Sequence, residues 1–252
     1  MAFDEQAAID EFWAARARGD YFPAKWFDRL TLDEAYRIQL GVIARRIAAG
    51  ERQIGWKVGL TAEPIQQQFG FHEPVFGCIL DSRQSGHVFR RDQLIRPGFE
   101  SELCLRVDRT LSGEVDMAAV RGAIDAVYPA LEIIETRGDF TAQIALAMAD
   151  NAQQKTVVLG DPVALGDLAL EAVGATVRIN GAIVATGRGD AVLGNPLNSV
   201  IWLARKLGEF GRRIEAGEII ISGSFTRQFP IAPGDRVAVE FGGVGEVRAG
   251  WR

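Results

Sequence analysis

Residues 96–107 read RPGFESELCLRV, a run whose period-two alternation predicts a β-strand. Phe99, Ser101, Leu103, Leu105 and Val107 then share one face, and Glu100, Glu102, Cys104, Arg106 and Asp108 share the other. Two readings compete for the second face. In one it is the wet side of a half-buried strand. In the other Glu100 and Glu102, roughly 7 Å apart along the backbone, converge on a hard cation.

Elsewhere in the chain two charges bear on that choice. Glu132 interrupts the apolar run Ala130-Leu131-Glu132-Ile133-Ile134, where a carboxylate is costly unless it is paired or ligates a cation. Two carboxylates on one strand and a third on a neighbour would make an open site for such an ion. Lys57 sits in the strand-like GWKVGL between Trp56 and Val58, with Gly55 and Gly59 allowing close backbone approach. It is either an edge lysine that discourages aggregation or a functional amine. Beside a bound divalent cation its pKa is expected to fall, so that it shuttles protons at neutral pH.

Bulk properties remove several functional classes. The chain has 252 residues, 48% apolar and 24% charged, with a formal net charge of −5. That balance argues against nucleic acid or an anionic membrane as partner. No apolar run approaches the ~18 residues of a membrane span, and the acidic start MAFDEQAAIDEFWAAR lacks the bases of a secretion signal. Two distant cysteines, Cys78 and Cys104, call for no oxidising compartment, so the cytoplasm is the expected location. With only His72 and His87 a zinc site is disfavoured, and any metal held by carboxylates is Mg²⁺ or Mn²⁺ first.

Residues 1–52 read as a helical region and 53–252 as a β-rich domain. Thr31 to Glu34 forms a capping box for a helix ending at Gly50, and TAEPIQQQFG (61–70) is a short helix. Asp116 caps a helix expected to run through Val127. Asn180-Gly181 joins a hairpin, and Pro196 opens a helix closed by Gly208 or Gly211. Many short strands with one long late helix predict an α+β fold with a curled or barrel-like sheet. GERQIGWK (50–57) fails as a phosphate loop, and Ser222-Gly223-Ser224 lacks the nucleophile-elbow pattern.

Seven segments occur in an order that resembles the hydratase/decarboxylase branch of the fumarylacetoacetate hydrolase superfamily. They are GWKVGLT (55–61), FGCILDS (76–82), GFESELCL (98–105), PALEII (129–134), ADNA (149–152), VLGNPLNSVIWLA (192–204) and GEIIISGSFTR (217–227) with APGD (232–235). The resemblance spans almost the whole chain. It implies a mixed β-roll with an N-terminal helical region, and metal ligation by Glu100, Glu102 and Glu132. It further implies Lys57 beside the substrate and Ser222, Gly223 and Ser224 as a loop along the substrate carboxylate. Departures from the pattern are Gly98, where many relatives carry arginine, and Gln153, Gln154 and Lys155 after ADNA. Asp81 is shifted by one place against some hydratases.

The activity so implied is metal-dependent hydration of a 2-hydroxy-2,4-dienoate to a 4-hydroxy-2-keto acid in meta-cleavage aromatic catabolism, with Lys57 and Asp81 as proton carriers. The five-carbon monoacid is the first substrate choice. Decarboxylation of a 4-oxalocrotonate-type acid and hydration of the seven-carbon diacid are the alternatives, and Arg227, paired with a distal carboxylate, would favour the latter. The expected partners are the small acid itself, further copies of the chain and a neighbouring pathway enzyme. A catalytically silent partner subunit is the remaining reading, and an intact acid cluster argues against it.

Overall fold

The structure is a computed structural model that describes residues 3–62, 66–67 and 72–252. Most of the short helix expected over 61–70 lies outside the described residues.

Helix α1 (Glu5–Ala17) is capped by Asp4, whose side chain accepts from the Ala7 N–H. Helix α2 (Leu32–Ala48) opens on the expected capping box, with Thr31 Oγ1 accepting from Glu34 N and the Glu34 carboxylate accepting from Thr31 N at 2.8 Å. Its apolar stripe, with Ala35, Tyr36, Ile38, Val42 and Ile43 buried, docks on the β-rich part. Tyr36 stacks on Phe76 with ring centroids 4.2 Å apart. Gln39, fully buried, donates to the carbonyls of Phe76 and Met148. The helical region and the sheets therefore share one hydrophobic core.

Among the described residues the strands form two sheets. The larger has eight strands in the order β2 (Val75–Ile79), β1 (Gly55–Gly59), β10 (Ile219–Ser224), β5 (Pro97–Val107), β6 (Ile124–Glu135), β7 (Gln154–Leu159) and β3 (Ser82–Gln84), with β11 (Phe229–Pro230) added to the start of β5. The smaller runs β4 (His87–Phe89), β13 (Gly245–Trp251), β12 (Arg236–Phe241), β8 (Gly174–Ile179) and β9 (Ala182–Arg188). Strand β13 packs over β6 and β7, so the two sheets enclose core between them. Three further helices complete the chain. Helix α3 (Met117–Ala123) leads into β6, α4 (Ile144–Ala149) packs against α2, and α5 (Pro196–Glu209) covers β10. This is the α+β fold expected from the strand count and the mixed β-roll that the resemblance implies.

Strand β5 decides the architecture because it is buried on both faces. Phe99, Leu103, Leu105 and Val107 join the main core. Cys104, on the acidic face, joins a second apolar cluster with Ile79, Ala130, Val157, Ile219 and Ile221. The wet-face reading fails at the centre of the strand, where Glu102 is 1% exposed and Cys104 is fully buried.

Local signals held or failed for identifiable reasons. Asn180 and Gly181, both at positive φ, make the β8–β9 turn. Gly211, at φ 65°, follows the end of α5. Helix α3, capped by Asp116 as expected, ends four residues early. Ile124 is already paired with Val107, so sheet pairing overrides the local helical pattern.

Candidate active site

Strands β5 and β6 run antiparallel in a register that sets Glu100 opposite Glu132 and Glu102 opposite Ala130. Cross-strand partners share a face, so all three acids project to the same side of the sheet. Their nearest carboxylate oxygens lie within 4.8 Å of one another. Strand β1 reaches the same face through β10, with Lys57 beside Ile221. Lys57 Nζ ends 3.2 Å from Glu132 Oε2.

A β-bulge completes the cluster. The β10–β5 register shifts between Ile221↔Cys104 and Ser224↔Glu102, leaving one extra residue on β10. The Gly223 N–H thereby donates to Glu102 Oε2 at 2.7 Å. Gly223 has φ 114°, and a Cβ there would lie 2.4 Å from Thr61 Oγ1, so only glycine fits. Residues 222–224 are thus the bulged end of a strand and not the expected loop. Ser224 faces the cavity, whereas Ser222 is buried away from it and accepts from Ser199 Oγ through its carbonyl.

The electrostatics are unusual. Glu102 Oε1 and both Glu132 carboxylate oxygens are buried with no hydrogen-bond partner among the described residues. Lys57 is close to Glu132 but not aligned for a hydrogen bond. Burial, followed by repulsion from Glu132 and Glu100, pushes the Glu102 pKa well above the carboxylate range. Glu132 is raised as well, by burial first, with Lys57 opposing. For Lys57, burial works to lower the pKa, but Glu132, Glu100 and Glu102 together outweigh it and raise it. The three acids alone hold the amine as an ammonium; the lowering expected from the sequence belongs to the site with a divalent cation beside Lys57.

The donor set fits a hard divalent cation. Three carboxylates supply oxygen ligands only, and the orphaned oxygens are the atoms such an ion would satisfy. The cluster opens into a cavity of about 640 Å³ lined by Lys57, Glu100, Ser224, Arg227 and, unforeseen, Arg96 and Gln153. Arg227 is exposed on its wall and stacks over Phe229, 4.1 Å from the ring centroid.

Asp81 does not join them. Its carboxylate pairs with Arg83 at 2.5 Å and accepts from Thr156 Oγ1 at 2.9 Å, and it is absent from the cavity wall. The strand pairing Ser82↔Val157 carries Asp81 toward the far edge of the sheet, so it is set aside as a proton carrier.

Sequence reasoning missed the wall contributed by Ala152 and Gln153, which sit in a turn opened by Asn151. All three have positive φ (59°, 50° and 59°), an uncommon run for residues other than glycine. Asn151 holds the turn by accepting from Cys78 N at 2.7 Å and donating to Cys78 O at 2.8 Å. A Cβ on the neighbouring Gly77 would press on both Lys57 and Asn151. No local pattern announces this turn; ADNA reads as helix end.

A fold and an acid cluster of this kind define a class. Residues 71–250 match the fumarylacetoacetate (FAA) hydrolase C-terminal family model, and the chain belongs to that family. Within it, the chain is 37% identical to the 2-keto-4-pentenoate hydratase of Paraburkholderia xenovorans strain LB400, over 97% of this chain and 93% of that one. Identity to the 4-oxalocrotonate decarboxylase of Pseudomonas sp. strain CF600 is 33%, over 97% and 92%. Among solved structures, the 4-oxalocrotonate decarboxylase of Pseudomonas putida G7, complexed with magnesium and adipate, superposes with a TM-score of 0.92. That match is 30% identical and covers 100% of this chain and 99% of the other. No helix among the described residues is long and apolar enough to cross a membrane.

Proposed function

We propose that the protein is a metal-dependent hydro-lyase that hydrates a 2-hydroxy-2,4-dienoate to a 4-hydroxy-2-keto acid. The observation that carries this reading is the triad Glu100, Glu102 and Glu132, with three buried oxygens that have no hydrogen-bond partner among the described residues, next to a buried lysine. These three residues would hold Mg²⁺ or Mn²⁺, and the similarity to a decarboxylase solved with magnesium supports that choice. When bound, the cation supplies positive charge that stabilises an oxyanion at C2 of the substrate.

The chain's own residues supply the rest. Ketonisation moves the C2 hydroxyl proton to C5; hydration then adds hydroxide at C4 and a proton at C3. Each carbon protonation needs an acid inside the cavity. Lys57 is on the cavity wall with its Nζ 3.2 Å from Glu132, so it enters the cycle as an ammonium and donates. The C2 hydroxyl proton restores the amine after the transfer to C5, and the water whose hydroxide bonds C4 restores it after the transfer to C3. Ser224 offers a hydroxyl on the same wall for orienting the C1 carboxylate.

The test is direct. Purified protein with Mg²⁺ should remove the ultraviolet absorbance of 2-hydroxypenta-2,4-dienoate and yield 4-hydroxy-2-oxopentanoate, and chelation should stop it. A second reading, decarboxylation of a 2-oxo-hexenedioate, draws on the TM-score of 0.92 to a decarboxylase and on the same electron sink. CO₂ release without hydration would select it.

A further inference from the structure

We propose that Arg96 and Arg227 form a subsite for a second carboxylate, and that the preferred substrate is a dienoic diacid. The inference rests on the hydratase reading of the site and specifies its substrate class.

Both arginines line the cavity that contains Glu100, Lys57 and Ser224. Arg96 lies four residues before Glu100, about 13 Å along the chain at strand rise. Between them Gly98 brings no side chain, and Gln228 occupies that space with its amide 2.7 Å from where a Cβ would be. The acid cluster and Arg96 therefore mark separate parts of one cavity. A five-carbon acid anchored at the acids leaves the arginine part empty; a longer diacid places its second carboxylate there.

The backbone of Arg96 and the side chain of Arg227 have fixed contacts, and among the described residues neither guanidinium pairs with an acid. Arg96 has φ 40°, a strained conformation for a residue with a side chain, and its carbonyl accepts from Thr136 N. The turn carrying Arg227 is tied down by the Thr226–Ser101 hydroxyl contact at 2.9 Å. Arg227 itself stacks on Phe229 and donates to the Gln228 carbonyl. Arg83, Arg90, Arg213 and Arg248 pair with nearby carboxylates. Arg29, Arg52, Arg205 and Arg236 are exposed without an ion pair among the described residues, as Arg96 and Arg227 are, but they lie outside this cavity wall. Asp139, an acid on the same cavity wall, is engaged as a cap that accepts from Ala142 N.

The same geometry separates the two reactions considered above. A carboxylate leaving as CO₂ loses its charge, so a guanidinium on it stabilises the ground state over the transition state. In hydration the distal carboxylate is unchanged, and the same contact serves as an anchor. Two arginines at that end favour hydration of a diacid over its decarboxylation.

The experiment compares kcat/KM for the seven-carbon 2-hydroxy-dienedioate and for five-carbon 2-hydroxypentadienoate in the wild type, Arg96→Gln, Arg227→Gln and the double variant. Thermal melts and Mg²⁺ titration check that each variant is folded and still binds metal. The wild type should favour the diacid, and each substitution should cut the diacid-to-monoacid ratio by about tenfold to a hundredfold, the scale of a charge-assisted hydrogen bond. A wild-type preference for the monoacid, or a ratio unchanged in the double variant, overturns the subsite while leaving the hydratase reading intact. Metal-bound protein that hydrates neither dienol overturns the reading beneath it.

Discussion

Glu100 and Glu132 face each other directly across strands β5 and β6, with Lys57 Nζ 3.2 Å from the second of them. Like charges in opposed positions destabilise a sheet. Here Glu132 is buried and Glu100 half-buried, buried Glu102 joins them, and among the described residues the cation in contact is one lysine. Three ionised carboxylates and one ammonium leave a formal charge of −2, which one divalent cation neutralises.

Gly223 is the backbone hinge of the site. Gly223→Ala must force a Cβ toward Thr61 Oγ1 in a backbone conformation that disfavours any side chain, and must disturb the N–H bond to Glu102. Denaturant unfolding should show a loss of about 1–3 kcal/mol, the usual cost of such strain. Metal affinity should drop with it. Stability equal to wild type would mean the bulge relaxes freely.

Lys57 is placed to protonate substrate carbon. Lys57→Met should fold and still bind metal, because it removes a positive charge from beside the ligands, while turnover falls by about 10²-fold or more. Activity near wild type would leave Lys57 as a charge-balancing residue only.

Much of this site was legible because strand alternation is a strong rule. Glu100 and Glu102 two places apart, and Glu132 inside an apolar run, forced a choice between a wet face and a cation site. Burial of the face removed the first option. Long-range pairing was not legible. The turn of Asn151 to Gln153 is stabilised by Cys78, more than seventy residues away, and Asp81 looked catalytic until strand β3 drew it beside Thr156. Lys57 shows the same limit: its neighbours in sequence are apolar, and the acids that raise its pKa arrive only through the fold. The end of α3 was misjudged because the pairing of Ile124 with Val107 is invisible locally.

Asp150 anchors that turn from the other side and gives a pH signature. Its carboxylate pairs with Arg137, yet burial, the larger influence, raises its pKa to about 6 from an ordinary 3.8. The folded state therefore binds a proton more tightly than the unfolded chain. The stability this contributes is fully present below about pH 4 and is lost as pH rises through about 6. Melts across about pH 4 to 7 should show wild type losing ground against Asp150→Asn over that window. A constant difference between the two would show that Asp150 stays ionised throughout.

Every role assigned to this site depends on Glu100, Glu102 and Glu132 binding a divalent cation. The most direct measurement is calorimetric titration of Mg²⁺ into wild type and Glu102→Gln. The substituted amide keeps an acceptor for the Gly223 N–H but removes one of the three charges. Wild type should bind Mg²⁺ saturably, and the variant should bind much more weakly or not at all. Undiminished Mg²⁺ affinity in Glu102→Gln would contradict the assignment.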